Sequence, residues 1–426
     1  MEIQNLVQKT GFTDSLNYQL KSAGVGSSSK RMMCQSLSPD YTGSSSSTIR
    51  IRIPCGQYGT YLDGSQSYLM FDVVNTTADP GVDIGGAPIE TPIVLDGHCS
   101  SVFRRFEVYA NGGNDRIEDI QEYNALYSMF LDLQTNYVDR VCYLNLLQGC
   151  DQNRTGVSIS RGEKRTFCMP LISGLLNGDK YVPLGKMQND LEIRIQLEDG
   201  IRAFVGANND YQLENVQYVA QIIELDAVAE QSLPSDNNMY VWGGESFSNH
   251  NDIINEYVGS ASIYLPFKYG SLKTVWLIHR NDTNFTNTEY RAITGRSKAN
   301  LDQYQFAIGS QMVPPNPVRT TNGTSEVAME VFRALHSVNL PSGGILTNGI
   351  FSKENTTTEN GAFVLAQELE SFSRKNDVLQ SGTNTIGSTC YYKGTYNSVP
   401  DQMRVDAWAH FDTIYIVSEG QLQMQV

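Results

Sequence analysis

The stretch 102–133, VFRRFEVYANGGNDRIEDIQEYNALYSMFLDL, decides how this chain is read. Val102, Phe106, Val108 and Ala110 alternate with Arg105, Glu107 and Tyr109, broken only at Phe103–Arg104. That two-residue period marks a half-buried strand. Asn111-Gly112-Gly113 ends it with a turn. Asp115 then stands where it can cap the first amides of a helix, and Glu118, three residues on, completes a capping box. Ile117, Ile120, Tyr123, Tyr127, Phe130 and Leu131 follow at helical spacing, while Glu118, Asp119, Glu122 and Asp132 fall elsewhere. The pattern predicts a strand, a turn and one amphipathic helix. Asn124 lies on the apolar side, so it is expected to be buried with its hydrogen bonds satisfied.

The surrounding chain reads almost entirely as β. Its 426 residues allow two or three domains at roughly 150 residues each. Hydrophobic residues make up 40% and charged residues 18%, with Gly, Asn, Ser, Thr and Tyr abundant, the vocabulary of strands and turns. A formal charge of −15 argues against a nucleic-acid-coating role, which needs clustered Lys and Arg. The small basic clusters Lys30-Arg31, Arg50/Arg52 and Arg104-Arg105 are expected at solvated positions. No apolar run approaches the ~20 residues that span a bilayer, and the first residues lack a secretory pattern. Seven scattered cysteines (Cys34, Cys55, Cys99, Cys142, Cys150, Cys168, Cys390) form no CxxC pair and are expected as buried free thiols.

Residues 1–48 show weak periodicity and two serine-rich patches, and read as an extended arm. Strands are expected at 48–53, 68–74, 166–171, 191–197 and 216–225, with Pro/Gly loops between them. Residues 233–258 break the pattern and read as a linker. The second half repeats the plan: strands at 262–267, 272–279 and 304–308, a proline block at 313–318, and a short helix over 325–336. Further strands are expected at 362–365, near 389–392, and at 403–411, 413–417 and 421–426. The expected division is therefore an arm (1–48), a first β unit (49–232), a linker (233–258) and a second β unit (259–426). About eight strands per unit, joined by uneven loops, fit an all-β sandwich or jelly roll and not a doubly wound fold.

Motifs for catalysis are lacking. There is no P-loop, dinucleotide fingerprint, HExxH or GxSxG, and the five histidines make no i, i+4 pair. His98 beside Cys99 has the residue types of a thiol–imidazole pair, but neighbours in a strand point to opposite faces. Asp190/Glu192 and Glu198-Asp199 could supply the paired carboxylates of a glycosidase; solvent-facing positions on and after a strand are the plainer reading. Catalytic, cofactor-binding and metal-binding residues are accordingly expected to be none.

Four pieces carry a family resemblance. They are IEDIQEYNALYSMFLDL (117–133); FCMPLISGLL (167–176) with VPLG (182–185) and LEIRIQL (191–197); LDQYQFAIGS (301–310) leading to PPNPV (314–318); and LQSGTNT (379–385) through FDTIYIV (411–417). Their order and spacing over 50–426 resemble the double jelly-roll major capsid proteins of the adenovirus-like lineage of icosahedral DNA viruses, in particular those of polintons, adintoviruses and virophage-like elements. The tryptophan-containing first-roll motif of the giant-virus members is missing.

The resemblance implies two consecutive eight-stranded jelly rolls with one short helix in each. It also implies a homotrimeric, hexon-like, pseudo-hexagonal capsomer that tiles a virion shell. Partners would be further copies of the chain, penton proteins and minor capsid proteins, without sequence-specific nucleic-acid binding. The arm would reach neighbouring capsomers, an inner membrane or the core. Loops 76–92, 198–215, 280–300 and 340–360 would form the outer tower. Such a protein is made in the cytoplasm or nucleus, is not secreted, and has no enzymatic role. The alternatives are a single jelly-roll, penton or minor capsid protein, and a carbohydrate-binding or carbohydrate-cleaving β-sandwich.

Overall fold

Two runs of eight strands, one in each half, carry most of the regular structure. A computed structural model of the chain describes residues 26–78, 81, 91–151, 154–178, 180–206, 209–232, 239–281, 291–338, 348–353, 361–371 and 380–426. The first run comprises β1 (Ser27–Gln35), β2 (Thr48–Ile53), β3 (Thr60–Asn75), β4 (Phe103–Ala110), β5 (Asp115–Gln121), β6 (Lys164–Met169), β7 (Leu191–Leu197) and β8 (Tyr211–Leu225). The second comprises β9 (Tyr240–Ile254), β10 (Ser260–Leu265), β11 (Leu272–Asn281), β12 (Leu301–Ile308), β13 (Gln311–Arg319), β14 (Leu365–Glu368), β15 (Cys390–Tyr396) and β16 (Met403–Ser418).

In the first half the sheets run β1-β8-β3-β6 and β2-β7-β4-β5; in the second, β9-β16-β11-β14 and β10-β15-β12-β13. Strand for strand the two orders are the same, and every pairing between these strands is antiparallel. First strand beside last in one sheet, second beside seventh in the other, is the jelly-roll winding. Between its fifth and sixth strands each roll carries its longest described helix, α1 (Tyr123–Gln134) in the first and α2 (Ser325–Ala334) in the second, followed by shorter helical turns.

Side-chain alternation explains the strands. In β2, Ile49, Ile51 and Ile53 are buried while Arg50 and Arg52 are exposed; in β7, Leu191, Ile193, Ile195 and Leu197 point inward. Phe71 and Phe103 meet edge to face at 4.8 Å between the two sheets of the first roll. Each such apolar side chain contributes about 1.5–3 kcal/mol on full burial.

Four expectations are corrected. The helix begins at Tyr123, not near Asp115: Asp115–Gln121 is strand β5, paired with β4 across the Asn111-Gly112-Gly113 turn. Ile117 and Ile120, three apart, fit the helical period and not a strict two-residue one; a register shift that leaves Ile117 as an extra residue opposite Val108 and Tyr109 lets both be buried in a strand. Glu118 is therefore no capping-box residue but a buried strand residue. The arm contains β1, which pairs with β8 along its whole length, so only residues up to 25, which lie outside the described ones, retain that reading. Its polar sequence SSSKRMMCQ belongs to an exposed edge strand with little to alternate. The expected linker contains β9, paired with β16 over fifteen residues. The proline block is strand β13 on a sheet edge, where a missing amide costs no ladder bond.

Candidate functional site: the seam between the rolls

Among the described residues, charge, burial and long-range contact converge at the seam joining the two rolls. From the first roll come β5, α1 and the residue between them, Glu122; from the second come β9, β11 and β16. Phe130 of α1 meets Phe247 of β9 and Trp276 of β11, with ring centroids 5.5 and 5.3 Å apart. Trp408 of β16 donates its indole N–H to the carbonyl of Gln121 at 3.2 Å.

At the centre lies an ion network. Glu122, buried and with φ of 48°, accepts from Arg280 at 2.8 Å and Arg202 at 3.3 Å, and pairs with Arg404 at 3.0 Å. Arg280 also forks onto Asp406 through Nε (2.9 Å) and Nη2 (2.6 Å). Burial alone would raise the Glu122 carboxyl, but Arg280, Arg202 and Arg404 hold it well below the usual carboxylate range.

A second knot lies at Asp132 on α1. Arg140 reaches it at 2.6 Å and Arg154 at 3.0 Å, while Arg296 of the second roll binds the same carboxylate. Burial opposes ionisation there too, and the guanidinium groups of Arg154, Arg296 and Arg140 overcome it. Arg154 crosses the seam as well, donating to the carbonyls of Gly361 at 3.0 Å and of Thr294. Asp96 accepts from the Ile293 amide at 2.9 Å and the Thr294 hydroxyl at 2.5 Å.

Glu118 closes the other end, accepting from the amides of Gly174 (2.7 Å) and Leu175 (3.3 Å), from Ser173, and from Tyr415 of β16 at 3.1 Å. Burial nevertheless leaves its carboxyl above the ordinary value, despite those donors. A Cβ at Gly174 would sit 1.9 Å from the Glu245 carbonyl oxygen, so only glycine lets the first roll approach β9 there.

The residues weighed for chemistry do not assemble. His98 bonds Ser100 at 2.7 Å, and burial together with the charge of Arg140 lowers its imidazole to about 3. The Cys99 thiol faces Met169 Sδ at 3.9 Å. Asp190 accepts from the Cys55 amide, and Glu192 is clamped by Arg194 at 2.6 Å. Glu198 is buried and not solvent-facing: it binds Asn124 and Arg202, while Asp199 accepts from the Ser45 amide. Asn124 is fully buried, donating to Ser101 O at 3.3 Å and Glu198 at 3.1 Å. Among the described residues no three His, Cys, Asp or Glu side chains gather as for a metal, and no helix is long and apolar enough to cross a membrane. Cys142 is exposed, against expectation. Of the tower loops, 79–80, 82–90, 207–208, 282–290, 340–347 and 354–360 lie outside the described residues.

Sequence reading missed Arg280, Arg296, Arg404, Asp406 and the burial of Asp132. Their signal is charge inside otherwise apolar runs, as in LKTVWLIHRN and MRVDAWAHF.

No protein-family model matches the chain, and no curated protein matches it in sequence. Solved structures do match. PBCV-1 VP54, fitted into a reconstruction of the virophage Sputnik, is 12% identical with a TM-score of 0.63, covering 96% of this chain and 98% of that one. A chain of the Sputnik virophage structure is 10% identical with a TM-score of 0.60, covering 99% and 93%. The mavirus major capsid protein is 10% identical with a TM-score of 0.55, covering 99% and 95%. At such identity the likeness is one of fold, and it covers at least 96% of this chain and 93% of each matched one. With the same strand order in both halves, the chain has the double jelly-roll fold of the mavirus major capsid protein.

Proposed function

We propose that the chain is a major capsid protein, a structural block that forms homotrimeric, pseudo-hexagonal capsomers tiling an icosahedral virion shell. The observation that carries this reading is the pairing itself: two rolls of identical strand order, locked side by side through a buried seam. Three such chains place six similar blocks around one axis, and closed cyclic symmetry leaves a compact tile with a near-hexagonal outline. The likeness in fold to capsid proteins over 96% or more of the chain supports the same reading. Its work is geometric, with no chemical step to catalyse. Partners would be further copies of the chain, then penton and minor capsid proteins at positions the trimer cannot fill, and residues 1–25 would contact neighbouring capsomers, an inner membrane or the core. The acidic charge suits a shell that does not itself grip nucleic acid.

Electron microscopy of the purified protein at rising concentration tests the proposal. Hexagonally packed sheets or closed shells are expected; absence of any ordered lattice under conditions where the protein stays folded would contradict it.

A further inference from the structure

Asp132 is a single carboxylate shared among three guanidinium groups, those of Arg140, Arg154 and Arg296. One negative charge cannot balance three positive ones, and solvent does little to help, since all four residues are at most 3% exposed. Arg296, the second roll's contribution, also has donors to spare. Its Nη2 is committed to Asp132, while its Nε and Nη1 are buried and meet no acceptor on the protein. The backbone beneath it is fixed as well: the Arg296 amide donates to Gly361 O at 2.9 Å, and its carbonyl accepts from the Phe363 amide at 3.4 Å.

Another unshared donor borders the same knot. His98 Nδ1 accepts from the Ser100 amide at 3.2 Å, and an amide can only donate, so the proton of the neutral ring sits on Nε2. That N–H is buried without an acceptor too. The charges that act on the ring are those of Arg140, Asp132, Arg296 and Arg154, which sets it beside them. Buried donors left unpaired oppose folding, and here they collect where positive charge is in excess. Burial lowers the Arg296 guanidinium from its ordinary value; Asp132 opposes this, and Arg140 and Arg280 reinforce it. A further negative charge that accepts hydrogen bonds answers each of these features at once.

We infer that the seam holds a small monovalent anion of the halide class, chloride under ordinary conditions, against Nε and Nη1 of Arg296 beside the Asp132 knot. Depth sets the class. A ligand enclosed by side chains this buried must shed its whole hydration shell, which a halide does far more readily than phosphate or sulfate. A guanidinium is itself weakly hydrated and suits such a partner. Because Arg296 comes from the second roll and Asp132 from α1 of the first, the ion would be a fixed part of the joint between them.

Thermal melts of the full chain at constant ionic strength, with sodium chloride replacing sodium gluconate, test the site, gluconate being too bulky for it. Wild-type Tm should rise with chloride and then level off, because a ligand of the folded state alone stabilises by mass action. General exclusion of salt from the surface runs the other way, since the strongly hydrated gluconate is the more stabilising anion. Arg296→Met, folded by circular dichroism, should lose the chloride response. Wild-type crystals grown in sodium bromide provide a measurement that needs no variant, and an anomalous peak is expected within hydrogen-bond distance of Arg296 Nε or Nη1. A wild-type Tm indifferent to chloride, a response that survives in folded Arg296→Met, or bromide crystals without an anomalous peak at Arg296 would each overturn the site.

Discussion

Arg280 Nη2 of the second roll lies 2.8 Å from Glu122 Oε2 of the first, and both side chains are buried. A buried pair of this kind is a poor source of net stability, because desolvation offsets most of its attraction. Its guanidinium fork is directional, however, and fixes how one roll sits on the other.

Arg280→Met should therefore cost about 3–5 kcal/mol in urea unfolding, by leaving Glu122 and Asp406 short of a cation. Adding Glu122→Gln and Asp406→Asn to the same chain should recover part of that loss. A single variant as stable as wild type would remove the network from any role in joining the rolls.

Stability should fall as the solution becomes acidic, in two stages. Burial holds His98 and His279 neutral in the folded chain, each at about 3, against about 6.5 when unfolded. The unfolded chain then binds more protons, so each histidine's contribution is complete above about 6.5 and declines by about 1.4 kcal/mol per pH unit below it. Glu122 and Asp132, held low, contribute above the unfolded carboxylate value of about 4 and lose that contribution as pH falls through their folded values. Glu368, raised to about 7 by burial, acts in the opposite sense, because its folded form prefers the proton. In thermal melts at pH 7 and 5, His279→Gln should show a smaller drop in Tm than wild type. An equal drop would mean that His279 takes up its proton in the folded state.

Gly174→Ala should sharply reduce soluble protein, since the new methyl would meet the backbone carbonyl oxygen of Glu245 at 1.9 Å. Gly387→Ala serves as the control: like Gly174 its glycine is outside the positive-φ region, but a Cβ there meets nothing within 4 Å. Equal yields of the two would show that the rolls do not need the close approach at Gly174.

Asn124→Leu should lower Tm and yield, taking one donor from the Ser101 carbonyl and one from the Glu198 carboxyl, which keeps Arg202 on its other oxygen. The expected cost is about 1–3 kcal/mol, readable by urea titration. A neutral result would mean that water replaces the amide.

Strands with clean alternation were legible in the sequence, and LEIRIQL over 191–197 is the strand found there. The helix after Asn111-Gly112-Gly113 was legible in kind but not in extent, because Ile117 and Ile120 are spaced as in a helix and only an irregularity in the strand pairing buries both. Edge strands were the least legible. Ser27–Gln35 and Tyr240–Ile254 owe their form to ladder bonds with β8 and β16, which local side-chain pattern does not record. The seam was illegible for a related reason. Asp132 and Arg296 stand 164 residues apart, and a charged residue in isolation reads as solvated until a partner removes it from water.

The central claim is that two fused rolls make a closed ring of three chains. Light scattering on the purified chain at neutral pH and moderate salt measures this directly. The expected mass is three times the 47.4 kDa chain, with little response to single charge reversals at exposed positions, which are worth ~0–1 kcal/mol against an extended apolar contact. A stable mass of one, two or five chains would contradict it.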